Sequence, residues 1–162
     1  MLFLIAGLPG TGKTTIARAF AQRIGAIHLS SDALREELGL MGHYSPEDKA
    51  KVYNEMLDRV GIALKEGRTV VVDSTFYRAS VRQPFAALAA SCGIPVKWVE
   101  IKAKETTLRN RLNRPRADSE ADFEVYKKIR DQFEPLPSDR LVIWSDEVSP
   151  EMAAATIAAE LK

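Results

Sequence analysis

Near the start of the chain, the stretch GLPGTGKT has the residue types and the spacing that bind a phosphate group. Its pattern is Gly7, four further residues, and then Gly12, Lys13 and Thr14, as in a phosphate-binding loop of the Walker A type. The lysine supplies a positive charge for the β- and γ-phosphates of a nucleoside triphosphate, and the threonine hydroxyl is placed to ligate Mg²⁺. ATP and Mg²⁺ are therefore the expected cofactors.

The backbone of this loop is expected to contribute to binding as well. Glycine has no side chain to keep an anion away, and the N-terminus of the following helix presents free N–H groups to the phosphates. A purely structural glycine turn is the alternative, and a Rossmann dinucleotide loop fits less well because it requires the order G-x-G-x-x-G. The residues expected to contact the nucleotide are Gly7, Leu8, Pro9, Gly10, Thr11, Gly12, Lys13, Thr14 and Thr15.

A second candidate is the segment SSDALR, in which Asp32 and Arg35 are three residues apart and share one face of a helix. Transfer of a phosphoryl group to an alcohol requires a group that orients the hydroxyl and accepts its proton. Asp32 is predicted to be that base. Arg35 is predicted to bind an anionic group on the acceptor or the phosphoryl group in flight. The alternative is that Asp32 is a structural residue, which caps the N-terminus of the helix or lies in its first turn.

An acidic residue also ends the valine-rich stretch TVVVD. A carboxylate at the end of an apolar strand typically reaches the Mg²⁺ shell when a phosphate-binding loop precedes it in the chain. Asp73 therefore joins Thr14 as a predicted metal residue, and capping of the next helix is the alternative. Thr75, Arg78 and Arg82 follow, and the sequence leaves open whether they contact the acceptor or lie on the surface.

The segment LRNRLNRPR carries four arginines, the last two of which flank a proline. Proline breaks a helix, and arginines delivered by such a segment can neutralise charge on a transferred group and exclude water. At least one of Arg111, Arg114 and Arg116 is predicted to act in this way, on a lid near residues 111–122. A solvated helical face is the alternative for this charge run.

Five apolar runs are predicted to be the strands that position these residues, at 2–6, 26–29, 69–73, 94–101 and 140–144. Helical patterns follow the phosphate loop and also cover 47–66, 78–91, 104–113, 121–132 and 150–161. Strands that alternate with helices predict a parallel sheet with helices on both faces. We therefore expect one α/β domain over residues 1–162, a three-layer α/β/α sandwich with a five-stranded parallel sheet.

The polar candidates fall at the ends of the first three predicted strands, where ligands gather in folds of this kind. The phosphate loop, Asp32 and Asp73 are therefore expected to meet in one crevice. Ser45 and Pro46 are expected to start the helix at 47–66. Trp98 and Trp144 lie within strand patterns and are expected to be buried.

The composition indicates an ordinary globular domain, with 46% hydrophobic and 28% charged residues among 162. The formal net charge is +1, so no overall field draws the chain to nucleic acid or a membrane. Cys92 is the single cysteine, which excludes an internal disulfide and favours a reducing, cytoplasmic location. No stretch approaches the length of a membrane span.

The combination of GLPGTGKTT, SSDALR, TVVVDSTF and LRNRLNRPR resembles the small P-loop kinases of the nucleoside-monophosphate-kinase-like group, and more narrowly the bacterial predicted-kinase family. The wider group includes polynucleotide kinase domains, zeta toxins, gluconate kinase and chloramphenicol phosphotransferase, and the resemblance covers almost the whole chain. It implies that Asp32 is the general base and that Arg35 contacts substrate. It also implies Asp73 near the metal, Thr75 near the acceptor and a lid arginine.

These observations predict an ATP- and Mg²⁺-dependent phosphotransferase that acts on a hydroxyl of a small molecule. One alternative is a polynucleotide 5′-hydroxyl kinase, but the chain shows no strong basic and aromatic patch for single strands. The other is a regulatory NTPase switch; the N-K-x-D motif that reads guanine does not occur, and Ser74 rather than a catalytic glutamate follows Asp73. The acceptor and the oligomeric state are not predicted, because acceptor specificity lies in loops.

Overall fold

The computed structural model describes residues 1–113 and 122–161, which fold around a single five-stranded sheet. All neighbouring strands run parallel, in the order β2-β3-β1-β4-β5. The strands are β1 (Leu2–Ala6), β2 (Ile27–Ser30), β3 (Val70–Asp73), β4 (Val96–Lys102) and β5 (Leu141–Trp144). The helices are α1 (Lys13–Ile24), α2 (Ser31–Glu37), α3 (Pro46–Lys65), α4 (Ala79–Ser91), α5 (Glu105–Leu112), α6 (Phe123–Gln132) and α7 (Pro150–Ala159).

The predicted fold class and five-stranded parallel sheet are confirmed, and each predicted strand is present with its ends shifted by at most two residues. Ser45 also caps α3 as expected, because its hydroxyl accepts a hydrogen bond of 3.1 Å from the backbone N–H of Asp48. Among the described residues, none of the helices has the length and apolar character to cross a membrane.

The central strands are buried because helices cover both faces of the sheet. Side chains alternate along β1, so that Leu2 and Leu4 join one core cluster while Phe3 and Ile5 join another. The first cluster includes apolar residues of α3 and α4, and the second includes residues of α1 and α7. These two cores form the outer interfaces of the three-layer sandwich and hold the carboxyl ends of β1, β2 and β3 side by side.

The expectation that Trp144 is buried is wrong. Its side chain is 39% exposed, because β5 is an edge strand with β4 as its neighbour in the sheet. The ammonium of Lys102 lies 5.3 Å from the centre of its ring, an arrangement that stabilises a cation over an aromatic face. Trp98, in the more central strand β4, is half-buried and packs against the first core cluster.

Arg82 neither lines the candidate site nor lies on the surface, so neither alternative left open by the sequence applies. Its guanidinium is buried and donates hydrogen bonds to three carbonyl oxygens, those of Phe76 at 2.6 Å, of Pro135 at 2.8 Å and of Glu134. Burial lowers the pKa of this guanidinium. Phe76 is itself buried and has a φ of 47°, a region that non-glycine residues seldom adopt. Arg82 thus fixes the loop after β3 to the segment after α6.

Replacement of Arg82 by methionine is expected to lower the free energy of unfolding by about 3 kcal/mol, because buried carbonyl oxygens lose a charged donor. Urea unfolding measures this change. The matched control is Arg78→Met, since Arg78 is exposed one turn earlier and donates one hydrogen bond, to Gln132; its effect should stay within about 0.5 kcal/mol. Equal losses in the two variants would show that Arg82 does not hold this loop.

Candidate active site

The phosphate-binding loop connects β1 to α1 and has the backbone conformation that an anion requires. Gly10 and Gly12 have φ angles of 82° and 87°, which side chains disfavour. Within the described part of the chain, no side chain caps the N-terminus of α1, and its first turn contains no acidic residue. A helix end of this kind can bind a phosphate through its backbone N–H groups.

Gly7 is required at its position by a close approach of the backbone. A Cβ atom placed there would lie 2.5 Å from the carbonyl oxygen of Ile101 in β4 and 3.0 Å from the hydroxyl of Thr11. That hydroxyl donates to the carbonyl oxygen of Leu8 at 2.8 Å, and the ammonium of Lys13 lies 3.4 Å from the same oxygen. The lysine is thus folded back over its own loop.

Thr14 and Asp73 meet beside this loop. The Thr14 hydroxyl donates a hydrogen bond of 2.7 Å to Oδ1 of Asp73, whose side chain is buried at the end of β3. A hydroxyl and a carboxylate are the hard oxygen ligands that Mg²⁺ prefers, and this ion takes few protein ligands because phosphates and water complete its shell. The two side chains therefore fit Mg²⁺. The described residues contain no cluster of three or more His, Cys, Asp and Glu side chains that would hold a metal by themselves.

His28 also belongs to this arrangement, although its residue type and position in the sequence predict no role for it. Its Nε2 lies 2.5 Å from Oδ2 of Asp73, and a carboxylate at this distance accepts the N–H of the ring. The contact exists because β2 lies next to β3. To predict the contact between His28 and Asp73, the order of the strands in the sheet must be known. Hydrophobic patterns in the sequence do not provide that order.

Asp32 and Arg35 lie in α2, which starts directly after β2. Asp32 occupies the first turn of the helix but is not its N-cap, a position held by Ser30; the carboxylate is half-buried. Arg35 is buried, donates a hydrogen bond of 2.9 Å to the carbonyl oxygen of His43, and lies 4.5 Å from the centre of the Tyr44 ring. These contacts fix the guanidinium in the wall of the site.

The residues brought together by the fold line a cavity of about 780 Å³. The phosphate loop lies at one side of the cavity, and parts of α2, α3, α4 and α6 form its other sides. Tyr53 lines it, and the Tyr53 hydroxyl lies 2.7 Å from that of Ser74. Burial raises the pKa of the Tyr53 phenol, so it stays neutral. The predicted residues in its wall are Pro9, Gly10, Gly12, Lys13, Thr14, Thr15, Asp32, Arg35 and Thr75.

Arg111 is the predicted lid arginine whose position is described, and it contacts the phosphate loop. Its Nη1 donates to the carbonyl oxygen of Gly10 and to the hydroxyl of Ser145, both at 3.1 Å. Helix α5, which carries it, is held at its start by Asp146, whose carboxylate accepts the N–H of Lys104 at 2.9 Å. That hydrogen bond lowers the pKa of the Asp146 carboxyl.

The remaining predicted lid arginines, Arg114 and Arg116, lie outside the described residues, as does most of the predicted lid near 111–122. The lid therefore stays a prediction.

Comparison with known proteins gives a family match. Residues 2–136 match the AAA domain family AAA_33. The chain is similar to an uncharacterised protein of Mycobacterium tuberculosis, with 30% identity over 137 residues, which are 76% of this chain and 28% of that protein. The chain thus spans little more than a quarter of that relative.

Two other proteins to which the chain is similar are kinases. The chain is similar to the shikimate kinase of Ruegeria pomeroyi, with 27% identity over 167 aligned positions that cover 98% of this chain and 83% of the kinase. Among solved structures, APS kinase of Mycobacterium tuberculosis, in complex with AMPPNP and APS, has a TM-score of 0.72 at 20% identity. The match covers 99% of this chain and 96% of that one. The structural similarity to APS kinase confirms the fold.

Introduction of a Cβ atom at Gly7 is expected to displace β4 or the phosphate loop, because the clash is with backbone. Gly7→Ala should therefore lower the melting temperature and abolish ATP binding in calorimetry. The matched control is Gly61→Ala in α3, where the new Cβ would lie 3.6 Å from Leu88; in a helix interior alanine is favoured over glycine by about 1 kcal/mol. ATP affinity in Gly7→Ala equal to that of Gly61→Ala would contradict this account of the loop.

Proposed function

Since the chain belongs to the AAA domain family AAA_33 and is similar to a shikimate kinase, we propose that it transfers the γ-phosphoryl group of ATP to a hydroxyl of a small molecule, with Mg²⁺ as the metal. One observation carries the proposal: Lys13 and Thr14 of the phosphate loop line the same cavity as Asp32 and Thr75. Phosphoryl transfer requires the donor phosphate and the acceptor hydroxyl side by side, and a shared cavity meets that requirement.

On the nucleotide side, backbone N–H groups at the start of α1 and the ammonium of Lys13 bind the phosphates. Thr14 and Asp73 would hold Mg²⁺, which when bound supplies positive charge to the β- and γ-phosphate oxygens. His28 orients Asp73, because its contact with Oδ2 leaves Oδ1 directed to Thr14. Arg111, already at the carbonyl of Gly10, adds positive charge beside the transferred group.

On the acceptor side, Asp32 orients the hydroxyl and accepts its proton as the new oxygen–phosphorus bond forms. Its place in the cavity wall supports this role. Arg35 binds an anionic group near the reacting atoms. The kinases to which the chain is similar support the reaction class, and their own acceptors are not assigned to this chain.

The role of Asp32 is tested by the isosteric change Asp32→Asn. Loss of a general base typically lowers the rate by about 10²–10⁴-fold, so acceptor-dependent ADP release should fall by that factor while ATP affinity and melting temperature stay near those of the parent chain. The assay uses a panel of hydroxyl metabolites and of oligonucleotides with a free 5′-hydroxyl.

The matched comparison is Asp73→Asn, which should weaken Mg·ATP binding as well as transfer. Near-normal transfer by Asp32→Asn would reduce Asp32 to a structural residue, and weakened ATP binding would move it to the metal site. ADP release that needs no acceptor would favour an NTPase switch over a kinase.

The orienting role of His28 is tested through Mg²⁺. Loss of a group that holds a metal ligand typically costs about 10–100-fold in metal affinity, so His28→Ala should raise the Mg²⁺ concentration needed for ATP binding by that factor in calorimetry. His43→Ala is the control, because the His43 side chain is exposed and Arg35 uses only its backbone carbonyl. The same Mg²⁺ requirement in both variants would exclude this role.

A further inference from the structure

Away from the phosphate loop, the cavity is lined by positive side chains from three different helices. Arg35 comes from α2, Lys49 from α3 and Lys128 from α6. Arg35 is buried, Lys49 is half-buried and Lys128 is exposed at the rim. Among the described lining residues, Asp32 is the single carboxylate. The part of the cavity that remains for an acceptor therefore carries an excess of positive charge.

These three cations differ from most other basic residues on the same helices in what they contact. Elsewhere on α3, Arg59 pairs with Glu37 at 2.6 Å and Lys51 with Asp48 at 3.8 Å, and on α6 Lys127 pairs with Glu124 at 2.8 Å. Within the described residues, no ion pair within 4.0 Å joins a carboxylate oxygen to Arg35, Lys49 or Lys128.

Aromatic rings take the place of carboxylates beside two of these cations. The guanidinium of Arg35 lies 4.5 Å from the centre of the Tyr44 ring, and the ammonium of Lys49 lies 6.0 Å from that of Tyr77. An aromatic face attracts a cation without neutralising its charge. These positive charges therefore stay available to an anion inside the cavity, where a charge-assisted hydrogen bond is stronger than a neutral one.

The other walls of this part combine apolar and aromatic side chains with uncharged polar ones, such as Asn54 and Gln132. Tyr53 and Phe85 pack edge to face, with ring centres 6.4 Å apart, and Ile129 lines the cavity from α6. The total volume of about 780 Å³ is shared with the phosphate loop, and cavities of about 300–1,000 Å³ hold metabolite-sized ligands. The walls thus suit a compact molecule that has an anionic group at one end.

Resting on the proposed kinase function, we propose that the acceptor is a small hydroxyl compound with its own phosphate or carboxylate group, which Lys49 and Lys128 bind together with Arg35. In the reaction the acceptor hydroxyl gives its proton to Asp32, its oxygen bonds to the γ-phosphorus, and ADP leaves. The anionic group takes no part in bond making. Its contacts with the three cations set the orientation of the hydroxyl. A neutral analogue of the same shape lacks these contacts and is therefore excluded.

The acceptor class is tested with matched pairs that differ only in charge, assayed by acceptor-dependent ADP release. Nucleosides are compared with nucleoside 5′-monophosphates and hexoses with hexose 6-phosphates, and hydroxy acids are compared with their primary amides. The active acceptor should fall in one charged arm, with kcat/KM about 100-fold above that of its neutral partner, which is the scale of one or two charge-assisted contacts. The arm in which it falls separates phosphate from carboxylate.

The binding residues are tested with Lys49→Gln and Lys128→Gln, each of which should raise the KM for the charged acceptor about tenfold and leave the KM for ATP unchanged. Lys51→Gln is the matched control, because Lys51 lies two residues further along α3, is exposed, and pairs with Asp48. Equal KM values for the charged acceptor in all three variants would overturn the assignment of these lysines.

Two outcomes separate this inference from the function on which it rests. Turnover of neutral partners at the same kcat/KM, or preference for oligonucleotides, would leave a kinase but overturn the anionic small-molecule acceptor. If no compound in any arm stimulates ADP release, inorganic phosphate is titrated by calorimetry into the protein loaded with Mg²⁺ and AMPPNP. Phosphate binding that Lys49→Gln weakens and Lys51→Gln does not would support the anion site, and its absence would overturn the inference alone, because this titration does not measure phosphoryl transfer.

Discussion

The buried carboxylate of Asp73 is the contact on which the arrangement of the site depends. A charge in this position, at the end of a fully buried strand, is stable only when its oxygens are hydrogen-bonded. Thr14 satisfies one oxygen and His28 the other. Since these partners lie on α1 and β2, the same two contacts align the helix after the phosphate loop with the strand that leads to Asp32. These hydrogen bonds can form only when β2 lies next to β3, an arrangement that the two hydrophobic cores stabilise.

Around this carboxylate, separate anchors fix the two halves of the cavity. Beside the phosphate loop, Asp146 holds the start of α5, and Arg111 reaches the loop from that helix. Elsewhere, Arg82 ties the loop after β3 to the segment after α6, because it donates to the carbonyl oxygens of Phe76 and Pro135. Removal of either anchor leaves buried or half-buried polar groups without partners, which is costly. Rigid walls of this kind allow a site to orient two substrates with little loss of conformational entropy on binding.

Local signals in the sequence were sufficient for the strands, the phosphate loop and the cap at Ser45, because each depends on residues close in the chain. The convergence of Asp32 and Asp73 on the loop also followed, since parallel strands end at one edge of a sheet. The contact of His28 with Asp73 and the burial of Arg82 could not be predicted. Both depend on which segments become neighbours, and the partners lie 45 and more than 50 residues away. The exposure of Trp144 depends likewise on β5 being an edge strand.

The two carboxylates at neighbouring strand ends differ in their surroundings, and this difference separates their chemistry. Both oxygens of Asp73 are hydrogen-bonded to groups of the chain, and the residue is 1% exposed. Asp32 is half-buried in the wall of the cavity itself, one helical turn before the buried guanidinium of Arg35. A carboxylate in a cavity wall can accept a proton from a bound molecule, as proposed for Asp32, whereas one that lies against the Thr14 hydroxyl beside the phosphate loop can join that hydroxyl at a metal ion, as proposed for Asp73.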